Sequence, residues 1–401
     1  MKHIFLIVLS FIVLAIPLSF AADFSYDGSV ELEQRLFLQS DDSGQLSQGQ
    51  SSARVSAEFV LEWNKGDDRL IIEPYARIDA QDEERTHGDF RQFMWSHFGS
   101  NYEISVGVGQ VFWGVTESQQ LVDVINQVDG VENIDGEDNL GQPMIRYNTF
   151  GDWGTIDAFI LPYFRERTFV GEDSRLNGGL IVDNDRAEYQ SSREQSHVDL
   201  ALRYSQTLGD WSIGLSVFDG TSREPDLFRN LDFTTGTTVP FYPQITQYGA
   251  DIQLTTGSWL FKLEAIDRSH NDLFLEDFAA VTVGFEYTVV GVFGSIYDLG
   301  LLSEYSWDER GENATSVFQN DLFAGARLAL NDVANTAILF GVSGDFDNSD
   351  SQSVFIEAST RLNDSLTSNI ELRYFDSDTP NDILFRIRND SFIQIGVEYY
   401  F

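Results

Sequence analysis

RVSAEFVLEW, residues Arg54 to Trp63, sets Val55, Ala57, Phe59, Leu61 and Trp63 on one side of an extended chain and Arg54, Ser56, Glu58 and Glu62 on the other. Val60 is the one exception. A strand with one apolar and one charged face is specified, and the same division recurs along the chain. In SHVDLALRYS, Val198, Leu200, Leu202 and Tyr204 oppose Asp199 and Arg203; in SNIELRYF, Ile370, Leu372 and Tyr374 oppose Glu371 and Arg373. Apolar residues at helical spacing are almost absent.

Connections separate a soluble antiparallel sheet from a membrane barrel. Eighteen segments read as strands, from 26–39 to 389–401, with 291–305 as the thirteenth. Every second connection is a tight turn, such as NKGDD at 64, TLGD at 207 and LND at 362. The connections between them are longer, and 113–142, 165–194 and 221–243 each exceed twenty residues. Short turns on one side and long loops on the other are the wiring of an outer-membrane barrel with both termini on the short-turn side. The expectation is therefore all-β: a transmembrane, antiparallel, up-and-down β-barrel of 16–18 strands. Lipid offers backbone amides no partners, so such a sheet must close.

The first 21 residues, MKHIFLIVLSFIVLAIPLSFA, carry Lys2 before an apolar run and a small-x-small ending, the pattern of a cleaved signal peptide. Residues 22–401 then form one barrel domain with an inserted loop at 113–142. No later stretch is long and apolar enough to cross as a helix. The chain has no cysteine, which removes disulfides, thiolate catalysis and Cys-ligated metals. Its 64 acidic against 25 basic residues give a formal charge of -39, so no nucleic-acid partner is expected. No cofactor is expected either.

The chain ends QIGVEYYF. Gln394, Gly396, Tyr399 and Phe401 resemble the C-terminal targeting signal of Gram-negative outer-membrane barrels, a polar residue, a glycine and two aromatics ending in Phe. The resemblance implies export to the outer membrane, insertion by the barrel-assembly machinery, and contact with outer-membrane lipid and lipopolysaccharide. Analogy with porins of this size suggests a homotrimer.

Segment 113–142 follows the fifth expected strand. In position it resembles the inward-folding third loop of general diffusion porins, although it lacks their Pro-Glu-Phe-Gly-Gly sequence. It carries Glu117, Asp123, Asp129, Glu132, Asp135, Glu137 and Asp138 and neither Lys nor Arg. Within it, Leu121, Val122, Ile125 and Val128 share one side if the backbone is helical. Phasing the alternation puts Arg54, Arg77, Arg203, Arg327, Arg361 and Arg373 on the lumenal face, because charges facing lipid are costly. The expected constriction sets Glu117, Asp123, Asp129, Glu132 and Asp135 against those arginines in a channel for small hydrophilic solutes or ions that prefers cations.

Other readings stay open. The acidic segment is equally compatible with a solvated external loop. Asp135 to Asp138 and Asp345 to Asp350 do not match a spaced calcium loop. A barrel enzyme needs a positioned histidine, and His87, His97, His197 and His270 lie in no nucleophile motif, reading instead as interfacial polar residues. A plugged structural or adhesive barrel is the third class. Loops 165–194 and 221–243 are expected to be exposed.

Overall fold

In a computed structural model of the chain, the structure describes residues 22–41, 44–380 and 382–401. The signal-peptide segment lies outside the described residues. The barrel strands, in chain order, are β1 Asp23–Phe37, β2 Gly49–Trp63, β3 Asp68–Asp79, β4 His87–Phe98, β5 Tyr102–Gly109, β6 Gln142–Gly151, β7 Gly154–Leu161, β8 Asp199–Leu208 and β9 Trp211–Thr221. They continue as β10 Gln244–Thr256, β11 Trp259–His270, β12 Phe278–Val289, β13 Asp298–Asp308, β14 Asn320–Ala329, β15 Ala337–Asp345, β16 Gln352–Asn363, β17 Leu366–Asp376 and β18 Phe392–Tyr400. Each pairs antiparallel with its sequence neighbours in one sheet. The last closes on the first, with Ser29 opposite Tyr400 and Phe37 opposite Phe392. The protein is a closed antiparallel barrel of the outer-membrane type.

Burial is inverted relative to a water-soluble fold. Along β1, Leu32 is 64% exposed and Leu36 49%, whereas Glu31 is 3%, Glu33 8% and Arg35 2% exposed. Apolar side chains thus stand outward, where hydrocarbon is their solvent, and charged ones point into the barrel. Trp95, Trp153, Trp211 and Trp259 are exposed beside the short turns, as expected of an aromatic girdle at one membrane interface.

One expected strand is displaced. The apolar run VVGVFGSIY suggested a strand from 291, but residues 290–297 form a turn and β13 begins at Asp298. Gly291 at φ +66° and Gly294 at φ +72° take the left-handed conformation that a glycine adopts without strain, and Phe293 between them is drawn to φ +56°. Glycine spacing overrode hydrophobicity here.

The long loops are also less open than expected. Residues 162–198 and 222–243 join through short parallel ladders, Ile181–Val182 with Thr237–Thr238 and Glu188–Tyr189 with Phe241–Tyr242. Arg175 is buried, donates to Asp390 at 2.9 Å and to the Gln39 carbonyl at 2.6 Å, and lies over Phe37. Loop 162–198 is thereby fastened to the mouth beside β1 and β18.

Candidate functional site: a segment across the barrel interior

Residues 110–141 leave β5 and return through β6, and no helix forms between them. The amphipathic helix suggested by Leu121, Val122, Ile125 and Val128 is absent because wall side chains, not carbonyls one turn back, take the backbone donors. The Glu264 carboxylate of β11, fully buried, accepts from Val115 N–H at 2.6 Å, Thr116 N–H at 2.9 Å, Thr116 Oγ1 at 2.7 Å and Val122 N–H at 3.2 Å. Glu304 of β13 accepts from the Glu117 N–H at 2.9 Å and from the Ser118 N–H and Oγ, each at 2.7 Å. An irregular segment away from bulk water needs such acceptors. The apolar residues still do their part: Trp113, Val122, Val124 and Ile125 are buried against Met144, Phe159 and other wall residues.

The far arm is held differently. Asp129 accepts from Arg91 Nη2 at 2.7 Å, sits 3.0 Å from His87 Nε2, and accepts from Thr168 Oγ1 at 2.6 Å. Glu132 lies 2.7 Å from Arg77 Nη2 and 3.3 Å from His87. Arg85 donates to the carbonyls of Val131 and Glu132 while pairing with Glu33 and Asp79. Beyond it, Asp135 pairs with Arg373 at 2.9 Å, and Asn133 donates to Glu371 at 3.2 Å. Since β11, β13, β3, β4 and β17 are all touched, the segment runs across the inside of the barrel.

The His87, Asp129 and Glu132 ligand atoms lie within 4.8 Å of one another, close enough for a metal. Arg91 Nη2 already stands 2.7 Å from Asp129 and 4.0 Å from Glu132, with Arg77 on the other Glu132 oxygen. Two guanidinium groups occupy the cationic role, so the cluster is better suited to clamping the segment than to ligating a divalent ion.

The expected constriction residues divide into groups. Glu117 meets Arg327 at 2.5 Å and Lys262 at 3.8 Å. Glu132 meets Arg77 and Asp135 meets Arg373. Asp129 instead pairs with Arg91, which the sequence reading did not single out. Arg54 pairs with Glu31 and stands 3.9 Å from Glu398, on the wall. Arg203 pairs with Asp251 at 2.7 Å and lies over Trp113, with no acid of the segment within ion-pair distance among the described residues. Arg361 is exposed near the turn between β16 and β17. At the barrel seam, Gln394 accepts from Arg35 at 2.8 Å. Phe401 and Gly28 exchange backbone hydrogen bonds at 3.0 and 3.2 Å, and a Cβ at Gly28 would meet the Phe401 ring at 2.8 Å. Tyr399 faces outward and Gly396 sits against Asn369 and Glu31.

Asp123, Glu137 and Asp138 have no basic partner within ion-pair distance among the described residues. Burial pushes the Asp123 carboxyl up to about 7, and its Oδ1 has no hydrogen-bond partner. Burial, then the charges of Asp135 and Glu357, push Glu137 to about 7. Burial and the charges of Glu132 and Asp135 push Asp138 to about 6. Asp129 goes the other way, to about 2, because the His87 hydrogen bond and the His87 and Arg91 charges outweigh its burial. Glu117, Asp123 and Glu137 border a cavity of about 520 Å³. A second, of about 360 Å³, separates the segment from the opposite wall and includes Arg54, Asp138, Arg327 and Glu357.

Sequence reasoning put Glu264 on the lumenal face but missed its docking role, and it missed Glu304, Arg85, Arg91 and the role of His87. One signal was present: Arg85, His87, Asp89 and Arg91 alternate with period two and so share one face.

No family model matches the chain, and no curated protein matches it. Among solved structures it is similar to Wzi of Escherichia coli, an outer membrane protein involved in group 1 capsule assembly and a carbohydrate-binding β-barrel, at 8% identity, covering 92% of this chain and 83% of that one, with a TM-score of 0.52. It also aligns with OmpT of Vibrio cholerae in trimer form, at 12% identity over 95% of this chain and 100% of that one, TM-score 0.47. A mutant porin of Rh. blastica aligns at 15% identity over 94% and 100%, TM-score 0.45. At these identities the likeness is one of fold.

Proposed function

We propose that the protein is a porin-like outer-membrane channel for small hydrophilic solutes or ions, in which residues 110–141 form the constriction and favour cations. The observation that carries this reading is the set of carboxylates without basic partners, Asp123, Glu137 and Asp138, on a segment that spans the lumen between Arg327 and Arg373. Fixed charge within a narrow, low-dielectric passage is screened less than on an open surface. The long loops then face outside the cell, and the termini face the periplasm.

Each described histidine is engaged by a carboxylate or carbonyl: His87 by Asp129, His97 by Asp68, His197 by Asp199 and His270 by the Glu276 carbonyl. Among the described residues no serine hydroxyl bonds to any of them, which favours a channel over a hydrolase. The test is the reversal potential of the purified protein in a planar bilayer under a salt gradient. Wild type is expected to prefer cations, and Glu117→Gln with Glu137→Gln to lower the cation-to-anion permeability ratio severalfold; an unchanged ratio sinks the constriction reading. The same reading makes the protein a homotrimer, and makes its last strand the signal for insertion of the barrel. Molar mass in detergent and the folded level of a Phe401 deletion check those two points.

A further inference from the structure

On the long-loop side of the inward segment lies a third cavity, of about 170 Å³, bounded by residues 130–134, loop residues 167–182, the outer end of β1 and Arg85. Its charged lining is Arg35, Arg85 and Arg167 against Glu132 alone, a positive excess inside a chain of net charge -39. Two of the arginines hold unused donors. Arg35 is 2% exposed; its Nε donates to Gln394, its guanidinium covers the Phe392 ring at 4.4 Å, and its Nη2 has no hydrogen-bond partner. Arg167 has an unpartnered, buried Nε and no carboxylate within ion-pair distance among the described residues. Arg85 is saturated by Glu33 and Asp79 and supplies field instead of donors. Glu132 is spoken for by Arg77. Cationic donors are rarely left buried without an acceptor, because each loses its hydration and gains nothing in return.

We propose that this cavity binds a small free oxyanion of the phosphate or carboxylate class, with Arg35 and Arg167 as its cationic donors and Ser174, which also lines it, as a hydroxyl donor. A planar guanidinium matches the spacing of two oxygens on one phosphorus or carbon. The volume admits a phosphate or a short carboxylate. Enclosure by the inward segment and the fastened loop 162–198 favours a free solute over a phosphate carried on lipid, whose chains have no room there. An anion held here stands at the outer entrance to a cation-preferring passage, so the site is a binding station and not the filter.

Calorimetric titration of the full-length barrel in detergent at low ionic strength tests this, first with inorganic phosphate and then with succinate. Wild type should bind one equivalent saturably, with affinity reduced tenfold or more in Arg167→Gln and lost in the double variant with Arg35→Gln. Arg146→Gln, which alters a wall arginine paired with Asp157, should bind as wild type does. Arg35 lies at the barrel seam and its substitution risks misassembly; Arg167 lies in a loop outside the strands, so its single variant decides the matter. Absent or unsaturable binding, or equal binding by Arg167→Gln, overturns the proposal. So does binding confined to phosphatidic acid micelles with free phosphate inert.

Discussion

The two arms of the inward segment are held by opposite chemistry. The near arm, 113–122, offers backbone amides to two wall carboxylates, Glu264 and Glu304, over an apolar floor, and its one acid, Glu117, meets Arg327 and Lys262. The far arm, 129–135, offers its own carboxylates to wall arginines and a histidine. The sign of the side chain on the wall therefore decides which part of the segment can dock there. Anionic walls collect N–H groups and cationic walls collect acids, which fixes the direction in which the segment crosses. The carboxylates in neither arrangement, Asp123, Glu137 and Asp138, are left to face cavities.

The sharpest break of this contrast is Asp129→Ala. It strips Arg91 and His87 of a buried partner, and uncompensated buried charge costs on the order of 3–5 kcal/mol. The far arm should detach while the near arm stays docked. A glutamate-specific protease should then cut after Glu132 much faster than in wild type, and the melting temperature in detergent should fall. Unchanged cleavage and melting would show that the ion pairs are incidental.

Glu264→Ala acts on the other arm, and costs less to the extent that water fills the space of the lost carboxylate and takes up the freed amides. It leaves the amides of Val115, Thr116 and Val122 without acceptors, at about 1–3 kcal/mol for each that water cannot reach. The apolar floor keeps the arm close, so the loss should appear as open-channel current noise before it appears in melting. Glu264→Gln, which keeps one oxygen acceptor, should recover part of the effect. If the glutamine variant is as noisy as the alanine, hydrogen bonding to the carboxylate is not what docks the arm.

Much of the fold was legible because lipid imposes a rule that water does not. A strand in hydrocarbon must show apolar residues on every outward position, so the alternation in 54–63 or 368–375 identifies both the strand and its inner face. The rule lapses outside the membrane. In 290–297 the apolar residues Val290, Phe293 and Ile296 are exposed on a turn, and only Gly291 and Gly294 signalled it. The acids of 113–142 were equally visible as a group. Their partners were not, since Glu264 and Glu304 are more than 140 positions from the amides they receive, and only the register of a closed barrel brings them there. Arg361 and Arg203 show the converse: phase gives the face a residue occupies, but not its depth along the barrel.

Acidity should separate the two arms more gently than mutation. Asp129, whose ordinary value is 3.8, is held at about 2 in the folded protein, so its clamp contributes fully above pH 4 and is lost only as pH falls through about 2. Asp123 and Glu137 run the other way: from ordinary values of 3.8 and 4.5 they are raised to about 7. The folded state holds their protons more tightly than the unfolded one, so their unfavourable contribution grows as pH rises from about 4 to about 7 and then levels off. Between pH 5 and 8 Asp129 should thus stay charged while the cavity beside Asp123 gains negative charge. The cation-to-anion permeability ratio should rise over this interval, by a factor of two or so if each group carries its share of a field worth roughly 0.4 kcal/mol. Glu137→Gln should flatten that rise without moving the protease sensitivity of the far arm. A ratio that climbs just as steeply in the glutamine variant would assign the titration to other carboxylates and leave the contrast between the arms a matter of docking alone.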